Sequence, residues 1–274
     1  MTIWTMRAFL VVLAVGASVL EFGVAQGSPP LLPAYSHNDY LNDRPLFDAL
    51  DLGYRGVEVD YFVVEGKLMV AHDRDQIQPG RTLEALYLEP LKQRIQELGS
   101  VLPDGSVFTI NIESKESGNE TYGELHRVLA AYEEILTSVV DGQVRPGPVQ
   151  VILVGWSPPL HELAGEPVRY VGVHRHYSDL PDSHARYPSH LLKLVSVNYR
   201  QTFRWHGMGP PSTRISDHLT AIVQARDAAD GRLVRVYNVP RNASVYSTLL
   251  DSGVDLIGTK TLGTSRSLLL RLMR

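Results

Sequence analysis

Gly56-Val57-Glu58-Val59-Asp60-Tyr61-Phe62 and Val107-Phe108-Thr109-Ile110-Asn111-Ile112, the second running on into Glu113-Ser114-Lys115, are the stretches on which the fold turns. Side chains alternate across a strand, so Val57 and Val59 share one face while Glu58 and Asp60 share the other. The second stretch repeats the device: Phe108, Ile110 and Ile112 oppose Thr109, Asn111, Glu113 and, just past the end, Lys115. In a closed barrel the apolar set packs under surrounding helices and the polar set points inward or up to the mouth. Six further β-branched runs fit the same pattern: Pro33 to Ser36, Val149 to Val154, Arg169 to Val173, Leu194 to Asn198, Leu233 to Val239 and Asp255 to Gly258. Helical stretches lie between most of them, at Leu46 to Leu52, Leu83 to Leu98, Tyr122 to Val139, Thr213 to Ala229, Asn242 to Leu250 and Thr264 to Met273, with loop between the fifth and sixth strands. Gly53 and Gly253 each end a helix just before a strand, where a left-handed residue is needed. Eight strands with crossover helices predict a single (β/α)8 TIM-type barrel, with its active site at the carboxyl ends of the strands.

Composition agrees with one large domain. The 274 residues are 44% hydrophobic and 20% charged, with 26 Lys+Arg against 30 Asp+Glu, and a net charge of −4 gives no electrostatic footprint for nucleic acid. Without cysteine there is no disulfide framework, thiolate metal site or cysteine nucleophile. Arg7, the uncharged run Ala8 to Leu20 and the small residues ending at Ala25 have the order of a secretory signal peptide. Thirteen residues span only about 20 Å as a helix, too short for a bilayer. Residues 1–25 are therefore expected to be a cleaved leader, in preference to a retained anchor, and residues 26–274 the barrel domain of a secreted or extracytoplasmic protein.

Glu58, Asp60 and Glu113 are expected to converge at the mouth. Three ionised carboxylates repel unless a cation neutralises them, and oxygen-only ligands suit one hard divalent ion, Mg2+ or Ca2+. His37 closes the first strand and His72 follows the short apolar segment Lys67 to Val70. Two imidazoles beside an acidic cluster supply an acid and a base near neutral pH. The three carboxylates, a dication and Lys115 cancel, and one protonated imidazole then matches one phosphodiester anion.

The order His37-Asn38, Glu58-Val59-Asp60, His72-Asp73, Glu113-Ser114-Lys115 resembles the glycerophosphodiester phosphodiesterase and phosphatidylinositol phospholipase C-like superfamily, from about Pro33 to Leu262. Arg235-Val-Tyr237-Asn238-Val and Gly253-Val-Asp255-Leu-Ile-Gly-Thr259 are similar to its seventh and eighth strands. Ser36-His37-Asn38-Asp39-Tyr40 and Leu86-Tyr87-Leu88-Glu89-Pro90-Leu91 are most similar to its altered-inheritance-of-mitochondria branch.

The resemblance implies a phosphoric diester hydrolase of lipid metabolism, with the metal on Glu58, Asp60 and Glu113, His37 and His72 as the acid/base pair, and Lys115 on the nonbridging oxygens. It implies a phosphodiester small molecule or lipid headgroup as partner, with transient membrane-surface contact. Asp73 is a candidate to orient His72 or its loop. Asn38, Trp156, Asn198, Tyr199, Trp205 and Tyr237 are candidates to line the substrate site. Two departures stand out: Asn38 and Asp39 replace the Arg and Gly that usually follow the first histidine, and only Arg74 to Arg81 separates His72-Asp73 from the next helix, where related enzymes carry a large insertion. Two other functions compete. One is an amidohydrolase-type metal enzyme using His174, His176 and Asp255; the other is a secreted, non-catalytic barrel that binds phosphorylated ligands.

Overall fold

A computed structural model describes residues 28–274, so the expected leader lies outside the described residues. Among the described residues twelve strands form: β1 Leu32–Ser36, β2 Tyr54–Val64, β3 Lys67–Val70, β4 Phe108–Ser114, β5 Ser138–Val140, β6 Gln143–Arg145, β7 Val149–Gly155, β8 Val168–Arg169, β9 Val171–His176, β10 Leu192–Asn198, β11 Leu233–Tyr237 and β12 Leu256–Thr259. The helices are α1 Phe47–Asp51, α2 Glu89–Leu98, α3 Asn119–Ala130, α4 Leu160–Ala164, α5 Tyr199–Thr202, α6 Thr213–Asp227, α7 Ala243–Asp251 and α8 Leu262–Leu272.

Strands β1, β2, β4, β7, β9, β10, β11 and β12 pair in parallel, and the β1–β2 pairing closes the ring. This is the expected (β/α)8 barrel. Its period-two patterning sorts side chains into two apolar clusters. Val57, Val59, Phe108, Ile110 and Ile112 pack outward with the helices. Tyr35, Ile152, Val154, Leu194 and Leu256 form the smaller cluster that the alternation assigns to the interior of the ring. Gly53 and Gly253 have φ of 83° and 85°, the left-handed turn expected at both joints.

Two hairpins interrupt the alternation. Strand β2 runs on past the ring and turns through Glu65 and Gly66, at φ 51° and 72°, into the antiparallel β3, which carries the chain back towards Ala71 and His72. The helix expected through Val139 stops at Ala130. Ser138–Val140 instead pairs with Gln143–Arg145 across Asp141-Gly142, both at positive φ, the residue pair that a tight hairpin turn selects. The fifth barrel strand is shifted as well: Val168–Arg169 joins that small outer sheet, and the barrel strand begins at Val171 and extends to His176.

Candidate active site

At the carboxyl ends of the strands the structure gathers six of the expected residues. The hydrogen-bonded register pairs Glu58 with Asn111 and Asp60 with Glu113, which puts the three carboxylates on adjoining strands of one interior face. Glu58, Asp60 and Glu113 each offer an oxygen within 4.8 Å of the others. His37, just past β1, is anchored by its backbone N–H donating to the Thr259 carbonyl at 2.9 Å, and its Nε2 lies 3.2 Å from Glu58 Oε1. His72 Nδ1 is 2.8 Å from Asp60 Oδ2. A carboxylate only accepts, so Nδ1 carries the proton and Nε2 is left clear of this contact. Lys115 Nζ stands 3.2 Å from Asp60 and 3.8 Å from Glu113.

The electrostatics are uneven. Burial pushes the Glu58 carboxyl up, but Arg235 and His37 more than reverse this and hold it below the usual range. Burial and the nearby charge of Asp60 raise the Glu113 carboxyl, and Lys115 offsets only part of this. Asp60, 1% exposed, uses Oδ2 for Tyr40, His72 and Lys115, while its buried Oδ1 has no partner. An unpartnered buried carboxylate oxygen within a cluster of acids that repel is what a hard cation would satisfy, so the three carboxylates could hold a metal ion. Room for Glu113 is set by Gly155, at φ 74°: a Cβ there would lie 3.0 Å from Glu113 Cγ.

Two residues central to this arrangement had no assigned role in the sequence. Arg235 is buried and donates from Nη1 to Glu58 Oε2 at 2.8 Å and from Nε to Ser196 at 3.1 Å. Its guanidinium also lies over the rings of Tyr35 and Tyr237. The period of two in Leu233–Val239 would have turned it inward with Tyr237, although nothing in the sequence names its partner. The charge balance drawn from the sequence omitted it. Tyr40 donates to Asp60 Oδ2 at 2.7 Å and lies 3.1 Å from His72 Nδ1.

The substrate-lining candidates divide. Trp156 and Tyr237 border a cleft of about 530 Å3 over the acidic cluster, together with Arg175, His174 and His176. Arg175 and Arg235 thus bring guanidiniums to this cleft, although none follows His37 in the sequence. Asn38 is buried in a left-handed conformation, with Nδ2 3.5 Å from His72 Nδ1, and stands behind the histidine rather than on the cleft. Asn198 accepts from Asn238 at 3.3 Å and borders a neighbouring recess. Tyr199 is buried and donates to the Trp205 carbonyl. Trp205 turns away, donating to the Met208 carbonyl in a separate groove, because the loop after α5 folds outward. Of the two roles expected for Asp73, it takes the second: its carboxylate accepts from Gln76 and caps the turn Arg74–Gln76 in the loop after His72, while Asp60 and Tyr40 hold the imidazole itself. Asp39 is fully buried, accepts from the Leu46 N–H and Tyr87, and fixes the loop after β1.

Asp255 precedes β12, at the opposite end of the barrel, where it accepts from Arg226 and the Val234 N–H. Burial and the positive charge of Arg235 push the His174 imidazole well down, and no histidine belongs to the acidic ligand group. The histidine–aspartate constellation needed by an amidohydrolase is therefore not assembled among the described residues. Among them, no helix is long and apolar enough to cross a membrane.

Altered inheritance of mitochondria protein 6 homolog of Arthroderma benhamiae is 28% identical over 158 residues, 49% of this chain and 50% of that protein. Altered inheritance of mitochondria protein 6 of Eremothecium gossypii is 38% identical over 72 residues, 26% of this chain and 18% of its own length. The chain spans half or less of these relatives. A crystal structure of glycerophosphodiester phosphodiesterase from Agrobacterium tumefaciens str. C58 superposes with a TM-score of 0.46 at 17% identity, covering 87% of this chain and 99% of that one. The sequence pattern of the AIM6-like phosphodiesterase domain matches residues 28–169, just over half of the chain, from β1 through the acidic strands to β8. His37, Glu58, Asp60, His72, Glu113 and Lys115 all fall within that match, and the chain belongs to the family of AIM6-like phosphodiesterase domains.

Proposed function

We propose that the chain is a metal-dependent phosphoric diester hydrolase acting on a glycerophosphodiester or phospholipid-like substrate, with His37 and His72 as its acid/base pair. One observation carries the reading: three carboxylates with oxygens within 4.8 Å of each other are flanked by an imidazole on each side, His37 at Glu58 and His72 at Asp60. Glu58, Asp60 and Glu113 would hold Mg2+ or Ca2+, which when bound supplies positive charge to the nonbridging phosphate oxygens. One imidazole takes the proton of the attacking hydroxyl as its oxygen bonds to phosphorus, and the other protonates the alkoxide as the opposite P–O bond breaks. Lys115, held between Asp60 and Glu113, adds a cation beside the departing charge. Tyr40 and Asp60 hold the His72 ring at Nδ1, which leaves Nε2 for proton transfer. The cleft lined by Trp156 and Tyr237 takes the alcohol arm.

The test is hydrolysis of bis-p-nitrophenyl phosphate with and without chelator. Turnover abolished by chelator and restored by Mg2+ or Ca2+ supports the reading. Binding without turnover across glycerophosphodiesters, lysophospholipids and sphingomyelin would instead support a non-catalytic barrel that binds phosphorylated ligands.

A further inference from the structure

The cleft over the acidic cluster is not the only opening at the mouth. A second, of about 300 Å3, lies on the other side of His37, which borders both. Its walls include Arg200 at α5, Asn238 and Arg241 in the loop between β11 and α7, and Lys260 in the loop between β12 and α8. No Asp or Glu lines it. Arg200, Arg241 and Lys260 are exposed, and among the described residues no carboxylate lies within ion-pair distance of any of them. The first cleft differs in kind, because its cations share it with Glu58, Glu113 and Asp179.

Three unpaired cations around so small a volume repel one another, and an anion placed among them relieves all three. The N-terminus of α7 is not the source of the attraction, since the Asn242 side chain already accepts from the N–H groups of Ser244 and Val245. The side chains carry the charge. Loops after the seventh and eighth strands are also where barrels of this type commonly hold phosphate. A phosphodiester has two alcohol arms, and His37 borders both clefts, so phosphorus held over the carboxylates beside it would leave one cleft for each arm.

We propose that the second cleft is a subsite for a phosphate monoester on one arm of the substrate, so that the protein prefers a diester bearing this second phosphate to the same diester without it. The proposal rests on the phosphodiesterase reading above. Removing one charge-assisted hydrogen bond weakens binding roughly tenfold to a hundredfold, equivalent to about 1.5–3 kcal/mol.

The experiment uses the full chain with Mg2+ and a matched pair, glycerophosphoglycerol and its terminal phosphate, free in solution and as diacyl lipids in phosphatidylcholine vesicles. The expected result is a kcat/KM at least about tenfold higher for the phosphorylated member, shrinking with added salt, abolished in R200Q/R241Q and kept in R200K/R241K. A preference within the soluble pair identifies a free small molecule, and one within the vesicle pair a lipid headgroup; both support the subsite when the glutamine variant removes them. Turnover without preference, or a preference that survives R200Q/R241Q, overturns it while leaving the phosphodiesterase reading intact. Calorimetry with glycerol 3-phosphate needs no turnover: binding about tenfold weaker in R200Q/R241Q than in the wild type supports the subsite even if neither diester is cleaved. Equal or absent binding overturns it.

Discussion

Arg235 reaches across the barrel interior to Glu58, 177 positions away in sequence, with Nη1 2.8 Å from Oε2 and each side chain 5% exposed. Such a pair is costly to break from one side, because the partner is left charged and dry. Arg235→Met should cost about 3–5 kcal/mol in urea unfolding, and Glu58→Gln on that background should return part of it. The sign of the pH dependence should also invert. The wild-type Glu58 carboxyl is held below its ordinary value, so its contribution is present above the usual carboxylate range and is lost as pH falls through the depressed value. Without the guanidinium, burial dominates and the carboxyl is raised. The variant should then lose stability as pH rises through the glutamate range, and a wild-type-like acid profile would show that Arg235 does not hold Glu58 down.

Replacing His37 or His72 with Ala should cut bis-p-nitrophenyl phosphate turnover by about 10²–10⁴ and spare the fold. The His72 side chain is 46% exposed, so little packing is removed there; that of His37 is 13% exposed and lies against Tyr35 and Tyr237, so His37→Ala should lower the thermal midpoint somewhat more without unfolding the barrel. Far-ultraviolet dichroism and the thermal midpoint check the second half. Near-normal rates in both variants would remove the acid/base assignment.

Tyr40→Phe isolates a positioning role. The hydroxyl donates to a carboxylate that is almost wholly buried, so its loss should cost about 1.5–3 kcal/mol of stability. It also lies beside His72 Nδ1. Turnover should fall less than in His72→Ala, with kcat lowered and KM kept, because the imidazole loses a neighbour that fixes its ring. An unchanged kcat would make Tyr40 a purely structural hydrogen bond.

The barrel was legible because its strands are short β-branched runs whose alternation is visible one run at a time. Val57-Glu58-Val59-Asp60 declares both its faces, and Gly53 and Gly253 mark two joints. The acidic cluster was legible for the same reason, since neighbouring parallel strands with matched parity place Glu113 beside Asp60. What was hidden is what depends on a distant partner or on competition between local forms. Ser138 to Val140 continues the apolar spacing of α3, and only its pairing across Asp141-Gly142 makes it a strand. Trp205 follows a barrel strand, but a folded-out loop carries it away from the cleft. Arg235 shows its inward parity in sequence, whereas its partner 177 residues earlier appears only once the ring has closed.

Glu113→Gln separates the metal from the fold. Burial and Asp60 raise the Glu113 carboxyl, so the ionised form opposes folding: this penalty is absent below the ordinary glutamate value and grows as pH rises towards the raised one. In chelator at neutral pH the glutamine variant should therefore melt at or above the wild-type temperature, and the advantage should vanish on acidification. With millimolar Mg2+ or Ca2+ the order should reverse, because a dication that binds only the folded wild type stabilises it by mass action while the variant has lost an oxygen donor. A variant that gains as much from the ion as the wild type does would show that Glu113 is not a ligand. One that is less stable than the wild type in chelator at neutral pH would show that the carboxylates are satisfied without a metal.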